Sequence, residues 1–237
     1  MRLQQADPRH AAVLADFVRK VVATRTVWVV AGSEGLARRP SPSFRARETT
    51  LFWAEQEDAE RAAASVTEEP RVKSIPLADV LHDVLPKLRD LERAIGTNWL
   101  AAPCEPEIEP MDLGERLRQE MLASFVRQAV SQGGLYILED DQGQGPTFAA
   151  STEVPNALVL PVWTQREEAE IVHRGFWQDT DISHIPLATF IERTLVWLQE
   201  INRSVAPSYT PRIANIELAP ADIAERLKKL QRLQAHV

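Results

Sequence analysis

The feature that most constrains this chain is that it is written twice. Shifted by 110 positions, residues 51–120 overlie residues 161–230 with 17 identities in 70 and no gap. "LFWAEQEDAE" lies over "PVWTQREEAE", "IPLA" over "IPLA", and "DLGERLR" over "DIAERLK". Upstream the shift is 108, placing "LADFVRKVV" (14–22) over "LASFVRQAV" (122–130) and "VWVV" (27–30) over "LYIL" (135–138). The two-residue difference falls in the Gly/Pro/Ser-rich segments 31–48 and 139–156, where insertions are tolerated best. A repeat of about 110 residues is the size of a domain, so one fold must serve both halves.

Within one repeat the hydrophobic periods give an order of elements. An amphipathic helix over 10–23 leads into a β-branched and aromatic strand (26–31), a polar loop and a second strand (49–54). A charged helix (55–65), a short strand (70–75), a helix opening at "IPLA", a strand (96–101) and a last helix (111–121) follow. The expected class is α+β, or mixed α/β: two homologous repeats, 1–120 and 121–237, each a small mainly antiparallel sheet with about four helices. Pro76 and Pro186 stand where a helix starts, a place where the missing N–H costs nothing. Leu77, Val80, Leu81, Val84, Leu85, Leu88 and Leu91 then form a helical stripe, repeated by Leu187, Phe190, Ile191, Leu195, Leu198 and Ile201. The segment "MDLGERLRQEMLASFVRQAVSQ" (111–132) has no proline and only Gly114 near its start. A helix running through it would couple the repeats rigidly, in a pseudo-two-fold pair.

Composition closes several classes. The apolar fraction is 44% and the formal charge −7, with 17 basic and 20 acidic side chains in 1–120 against 10 and 14 in 121–237. Neither half has a nucleic-acid footprint. No apolar run approaches the ~18 residues of a membrane span, and "MRLQQADPRH" carries no secretory h-region. The single cysteine, Cys104, has no partner for a disulfide and no His or Cys at ligand spacing, which suits the cytoplasm.

The second repeat's "LPVWTQREEAE" (160–170), "GFWQ" (175–178) and "ISHIPLATFIERTL" (182–195) resemble the bacterial family known as domain of unknown function 2750. The first repeat resembles it through Trp28, Trp53, Ala59, "IPLADV" and the "LPKL" at 85–88, with Thr67 where the second has Trp177. The second reads "LVWL" in place of "LPKL", and has Ala206 where a glycine precedes the end of the last strand. The resemblance implies the fold and the tandem organisation, and brings no activity, cofactor or catalytic residue with it.

No constellation of catalytic type stands in both copies. His82 lies over Glu192, His184 over Ser74 and His173 over Ala63, so a histidine base shared by the repeats is excluded. Asp179, Asp181 and His184 in "DTDISH" are the side chains of a metal set, but strand alternation turns 179 and 181 one way and 184 the other. "EDDQGQGP" (139–146) lacks the GK[ST] or GxGxxG spacing of a phosphate loop and reads as a hairpin-type loop. No catalytic residue, cofactor or metal site is expected from these patterns.

Two surface features remain as candidate contacts. One is the arginine loop "RRPSPSFRAR" (38–47), with Arg38, Arg39, Phe44, Arg45 and Arg47. The other is "HRGFW" (173–177), with Arg174, Phe176 and Trp177 after a helix that Gly175 would cap. The sequence therefore points to a cytoplasmic, non-catalytic protein whose partner is another protein, as an adaptor, regulator or immunity-type binder. The competing expectation is an enzyme or small-molecule binder with its site in a groove between the repeats.

Overall fold

The structure is a computed structural model that describes residues 8–43, 46–100, 107–140, 145–211 and 215–234. The chain divides into two compact units, Met1–Glu120 and Met121–Val237, and the division falls inside one helix, α5 (Pro110–Gln132). Each unit mixes antiparallel and parallel strand pairs with helices, so the fold is α+β.

In the first unit, α1 (Pro8–Thr24) buries Leu14, Phe17, Val18, Val21 and Val22, the one-sided stripe of a helix lying on a sheet. Arg25, at φ 54°, turns the chain into β1 (Thr26–Gly32). β2 (Gly35–Leu36) folds back on β1 through Gly35 at φ 102°, a conformation open to glycine at no steric cost. β3 (Arg38–Pro40), β4 (Glu48–Phe52), α2 (Gln56–Val66) and β5 (Arg71–Pro76) follow. Next comes the helical run α3 (Leu77–Asp79), a π-helical turn over Val80–Val84, and α4 (Leu85–Asp90). β6 (Ala94–Thr97) and β7 (Glu107–Ile108) complete the unit before α5.

Two sheets result, ordered β2-β1-β5 and β3-β4-β6-β7. Among the described residues of this unit only β4 and β6 run parallel, from Thr49 opposite Ala94 to Phe52 opposite Thr97, because the intervening helices carry the chain back over the sheet. Trp28 and Trp53 join the two sheets by exchanging backbone hydrogen bonds of 2.8 Å in each direction. Over that seam Val30, Ala37, Leu51, Trp53 and Trp99 pack against Ala59, Ala62 and Ala63 of α2, whose small side chains let the helix settle close to the sheet.

The second unit repeats the plan with β8 (Gly134–Asp140), β9 (Ala149–Ala150), β10 (Leu158–Val162), α6 (Arg166–Phe176) and β11 (Thr180–Pro186). Then come α7 (Leu187–Thr189), a π-helical turn over Phe190–Thr194, α8 (Leu195–Glu200), β12 (Ser204–Pro207) and α9 (Pro220–Gln234). β10 and β12 are the parallel pair, and Tyr136 with Trp163 forms the seam at 2.8 and 2.9 Å. Its core joins Leu138, Val159, Trp163, Ala169, Val172, Ala206 and Tyr209.

The helix that opens at "IPLA" departs from the uniform helix that its apolar period predicts. Pro76 and Pro186 end the preceding strands, and the helix starts at Leu77 and Leu187, whose N–H groups bond to Arg25 and Gly133 carbonyls at 2.9 and 3.0 Å. The π-helical turn occupies the same place in both copies although one has Pro86 and the other Val196 after it, so the proline does not cause it. The "polar loop" of the first repeat carries β2 and β3, and the strand expected at 96–101 lies at Ala94–Thr97.

Packing explains a pair of differences between the repeats. A Cβ at Gly96 would lie 2.6 Å from the Trp99 ring, whereas the equivalent Ala206 sits buried beside the smaller Tyr209. In the same way a Cβ at Gly134 would meet His184 at 2.3 Å, while the first copy has Thr26 and Ser74 at those places. The Gly96/Trp99 and Ala206/Tyr209 pairs each balance a small residue against a ring, as close packing requires. Gly96→Ala is expected to lower stability by about 1–3 kcal/mol in urea unfolding. In a Trp99→Tyr background the same change costs less, which a double-mutant cycle reads directly.

Candidate functional site

Two pairs of residues shared by both copies, Glu107/Glu217 and Trp53/Trp163, act as internal fasteners. Glu107 on β7 accepts hydrogen bonds from the Ser41 hydroxyl (2.9 Å), the Ser43 backbone N–H (3.1 Å) and the Thr49 hydroxyl. Its counterpart Glu217 accepts from the Ser151 hydroxyl (2.8 Å) and from the N–H groups of Thr152 (2.7 Å) and Glu153 (3.2 Å). The carboxylate thus clamps the loop after β3 in one copy and after β9 in the other. Val159 stands at the place of Thr49, so the second copy replaces a hydroxyl donor with main-chain donors. Each seam tryptophan also donates its indole N–H, Trp53 to the Trp99 carbonyl (3.0 Å) and Trp163 to the Tyr209 carbonyl (3.1 Å). This shared set does structural work.

The arginine loop of the first copy is tied to its own unit. Arg38 pairs with Glu34 (3.1 Å) and Glu48 (3.4 Å), and Arg93 reaches the same Glu48 (3.2 Å). Arg39 donates to the Ser65 carbonyl. Arg47 grips Glu109 with two bonds (2.7 and 3.0 Å) and donates to the Glu92 carbonyl (2.7 Å). Its guanidinium is held above its ordinary value chiefly by the hydrogen bond to Glu109, as a fork matched to a carboxylate requires. Phe44 and Arg45 lie outside the described residues, as does Cys104.

"HRGFW" divides in the fold. Gly175 is not a left-handed cap: α6 continues through it to Phe176, and Trp177 caps the helix at φ −132° with its N–H on the His173 carbonyl. The cause is local, because His173 Nδ1 donates to the Trp177 carbonyl (3.1 Å) and the Thr180 hydroxyl donates to it too (2.6 Å), fixing the exit of the chain. Trp177 stacks on Tyr209 at 5.6 Å and 16° and belongs to the core. Phe176 points outward with 44% of its surface exposed, and Arg174 pairs with Glu170 of the preceding turn (3.4 Å). Asp181 and His184 lie on opposite faces of β11, with His184 against Tyr136 at 5.1 Å. Among the described residues no group of three metal-binding side chains converges.

A site that sequence reading missed is formed where the copies differ most in character. Phe148 lies against Trp197 at 5.8 Å between ring centres, and Trp197 and its neighbour Val196 are 36% and 44% exposed. Leu158, the counterpart of Glu48, is also exposed. The first copy has Arg38, Lys87 and Pro86 where the second has Phe148, Trp197 and Val196. A face made of ion pairs in one repeat is made of apolar groups in the other. The 110-residue shift sets Trp197 over Lys87, but Phe148 lies in the segment where the shift changes from 108 to 110, and strand register is what places it at the position of Arg38.

The profile of the family described as a protein of unknown function, DUF2750, matches residues 14–117 and again residues 122–227. The chain belongs to this family. It carries two DUF2750 repeats, and Glu107/Glu217 and Trp53/Trp163 lie inside the matched segments. No curated protein matches the sequence. Among solved structures, Anabaena Tic22 (protein transport) gives a TM-score of 0.27 at 12% identity, covering 83% of this chain and 93% of that one. Tic22 from Plasmodium falciparum gives 0.26 at 9%, covering 90% and 97%. Superpositions this loose carry no argument about the DUF2750 chain. Among the described residues no helix is long and apolar enough to cross a membrane.

Two measurements check the fasteners. Glu217→Ala strands two main-chain N–H groups and a hydroxyl, and is expected to cost about 2 kcal/mol in urea unfolding, with Glu217→Gln losing less. The Tyr209 phenol is held above its ordinary value by burial first and by Glu217 second. The folded state therefore favours the neutral phenol, so this stabilisation is full below the unfolded value near pH ~10 and is lost as the pH rises through the raised one. Tyr209→Phe is expected to flatten the fall of the thermal midpoint on the alkaline side of about pH 10.

Proposed function

We propose that this DUF2750 protein is non-catalytic, works in the cytoplasm and acts by binding another protein, as an adaptor, regulator or immunity-type binder. The observation that supports the reading is the face of the second repeat where Phe148 and Trp197 meet beside exposed Val196. A large aromatic anchored on a second ring at the surface is the kind of group that carries binding energy in protein contacts. The shared Glu107/Glu217 and Trp53/Trp163 are used inside each unit, and no histidine is shared by the repeats. Phe176 and Arg174 at the end of α6 offer a further contact on the same repeat. The arginines of the first copy support the same choice of partner class. Arg38 and Arg47 already face Glu34, Glu48 and Glu109, so they offer little positive charge to a nucleic-acid backbone.

The test replaces the face of the second repeat by that of the first, in the variant Phe148→Arg/Trp197→Lys. The unfolding transition is expected to stay within about 1 kcal/mol of the parent, since both rings are partly exposed. Proteins captured from the native host by the parent chain are expected to fall at least about tenfold with the variant. Equal capture by both, or no capture by the parent, defeats the reading.

A further inference from the structure

β5 and β11 are terminal strands of their sheets among the described residues. Their hydrogen-bonding phase can be read from their neighbours. Trp28 spends its N–H and C=O on Trp53, and the Val30 carbonyl accepts from Ala37, so the groups of β1 that reach β5 are those of Val27, Val29 and Ala31. With Val29 opposite Lys73, the main-chain groups of Arg71, Lys73 and Ile75 turn inward and those of Val72 and Ser74 turn outward. In the second unit Tyr136 bonds to Trp163 and the Leu138 carbonyl accepts from Thr147. With Ile137 opposite Ser183, the groups of Thr180, Ile182 and His184 turn outward from β11. Each edge is thus an open row of donors and acceptors.

We propose that the β5 edge of one molecule pairs antiparallel with the β11 edge of a second copy of this chain, Val72 opposite Ile182. The charges select this partner. β5 carries exposed Arg71 and Lys73, whereas exposed Asp179 precedes β11 and exposed Asp181 lies within it. Pairing Val72 with Ile182 and Ser74 with Thr180 makes about four main-chain bonds, with His184 falling beyond β5 opposite Pro70. It sets Lys73 directly opposite Asp181 and Arg71 opposite Ser183, in the closely spaced kind of pair where side chains interact best. Glu69 lies before β5 at φ 47°, outside the paired ladder. On the other face Val72 and Ile182, each packed on the tryptophan core of its own unit, come side by side.

The alternative β5 to β5 pairing about Val72 would set Lys73 against Arg71, a like-charge pair. Val72 and Ile182 are also the same position of the two repeats, 110 residues apart. The joint is therefore the two-fold pairing that a single repeat would make with its own copy, with opposite charges added by divergence. It uses a surface separate from Phe148 and Trp197.

The test is sedimentation velocity of the full chain across a range of concentrations at low and high salt. Self-association is expected, weakened by salt. Lys73→Glu and Asp181→Lys are each expected to weaken it roughly three- to tenfold, and the double variant to restore it to within about threefold. Ser74→Pro removes an outward N–H and no inward bond, and is expected to weaken association as well. A chain that stays monomeric throughout overturns the proposal. So does association indifferent to these changes, or a double variant that fails to recover. Phe148→Arg/Trp197→Lys is expected to leave sedimentation unchanged, so partner capture and self-association fail or succeed separately.

Discussion

Each unit hangs on one tryptophan. Trp53 and Trp163 exchange main-chain bonds with Trp28 and Tyr136, fill the core beneath a helix of small residues, and donate an indole N–H to the carbonyl of Trp99 or Tyr209. A buried indole without a partner would cost the desolvation of its N–H, so the segment after β6 or β12 must return to that place. Two sheets, a helix and a loop are thereby fixed to one side chain. The carboxylates of Glu107 and Glu217 do the same for the loop that follows the edge strand of the second sheet.

Glu107/Glu217 and Trp53/Trp163, retained in both copies, build the unit, while the surface around Arg38 changes character between the copies. Where the first copy has Arg38, Glu48 and Lys87, the second carries Phe148, Leu158 and Trp197, while Arg93 is kept as Arg203. The ion-paired version in the first copy shows that the fold does not need an apolar face there.

Much of this was legible in the chain. The 110-residue shift, Trp53/Trp163, Ala59/Ala169 and most of the apolar stripe after "IPLA" follow from periodicity and identity, and those side chains fall in the core, while Leu91 and Ile201 at the end of the stripe are exposed. Other features were not legible, for reasons that can be named. An apolar stripe is the same whether a helix contains a π-helical turn or none, so Val80–Val84 and Phe190–Thr194 leave no trace in the pattern. Gly175 looked like a helix end because glycine permits one, but the bonds to the Trp177 carbonyl hold the helix through it. Phe148 and Trp197 are 49 positions apart, and nothing local in either segment announces the other.

The sequence by itself determined that one α+β unit is made twice, because burying the same apolar positions requires the same elements. It also determined which side chains are shared, and hence that no histidine is common to both copies. Tertiary structure decided what those side chains touch: which carboxylate holds which loop, that Trp177 goes inward while Phe176 goes outward, and which main-chain groups of β5 and β11 face out. Those outcomes depend on strand register and hydrogen-bond phase, which shift by whole residues without altering the hydrophobic pattern that specifies the fold.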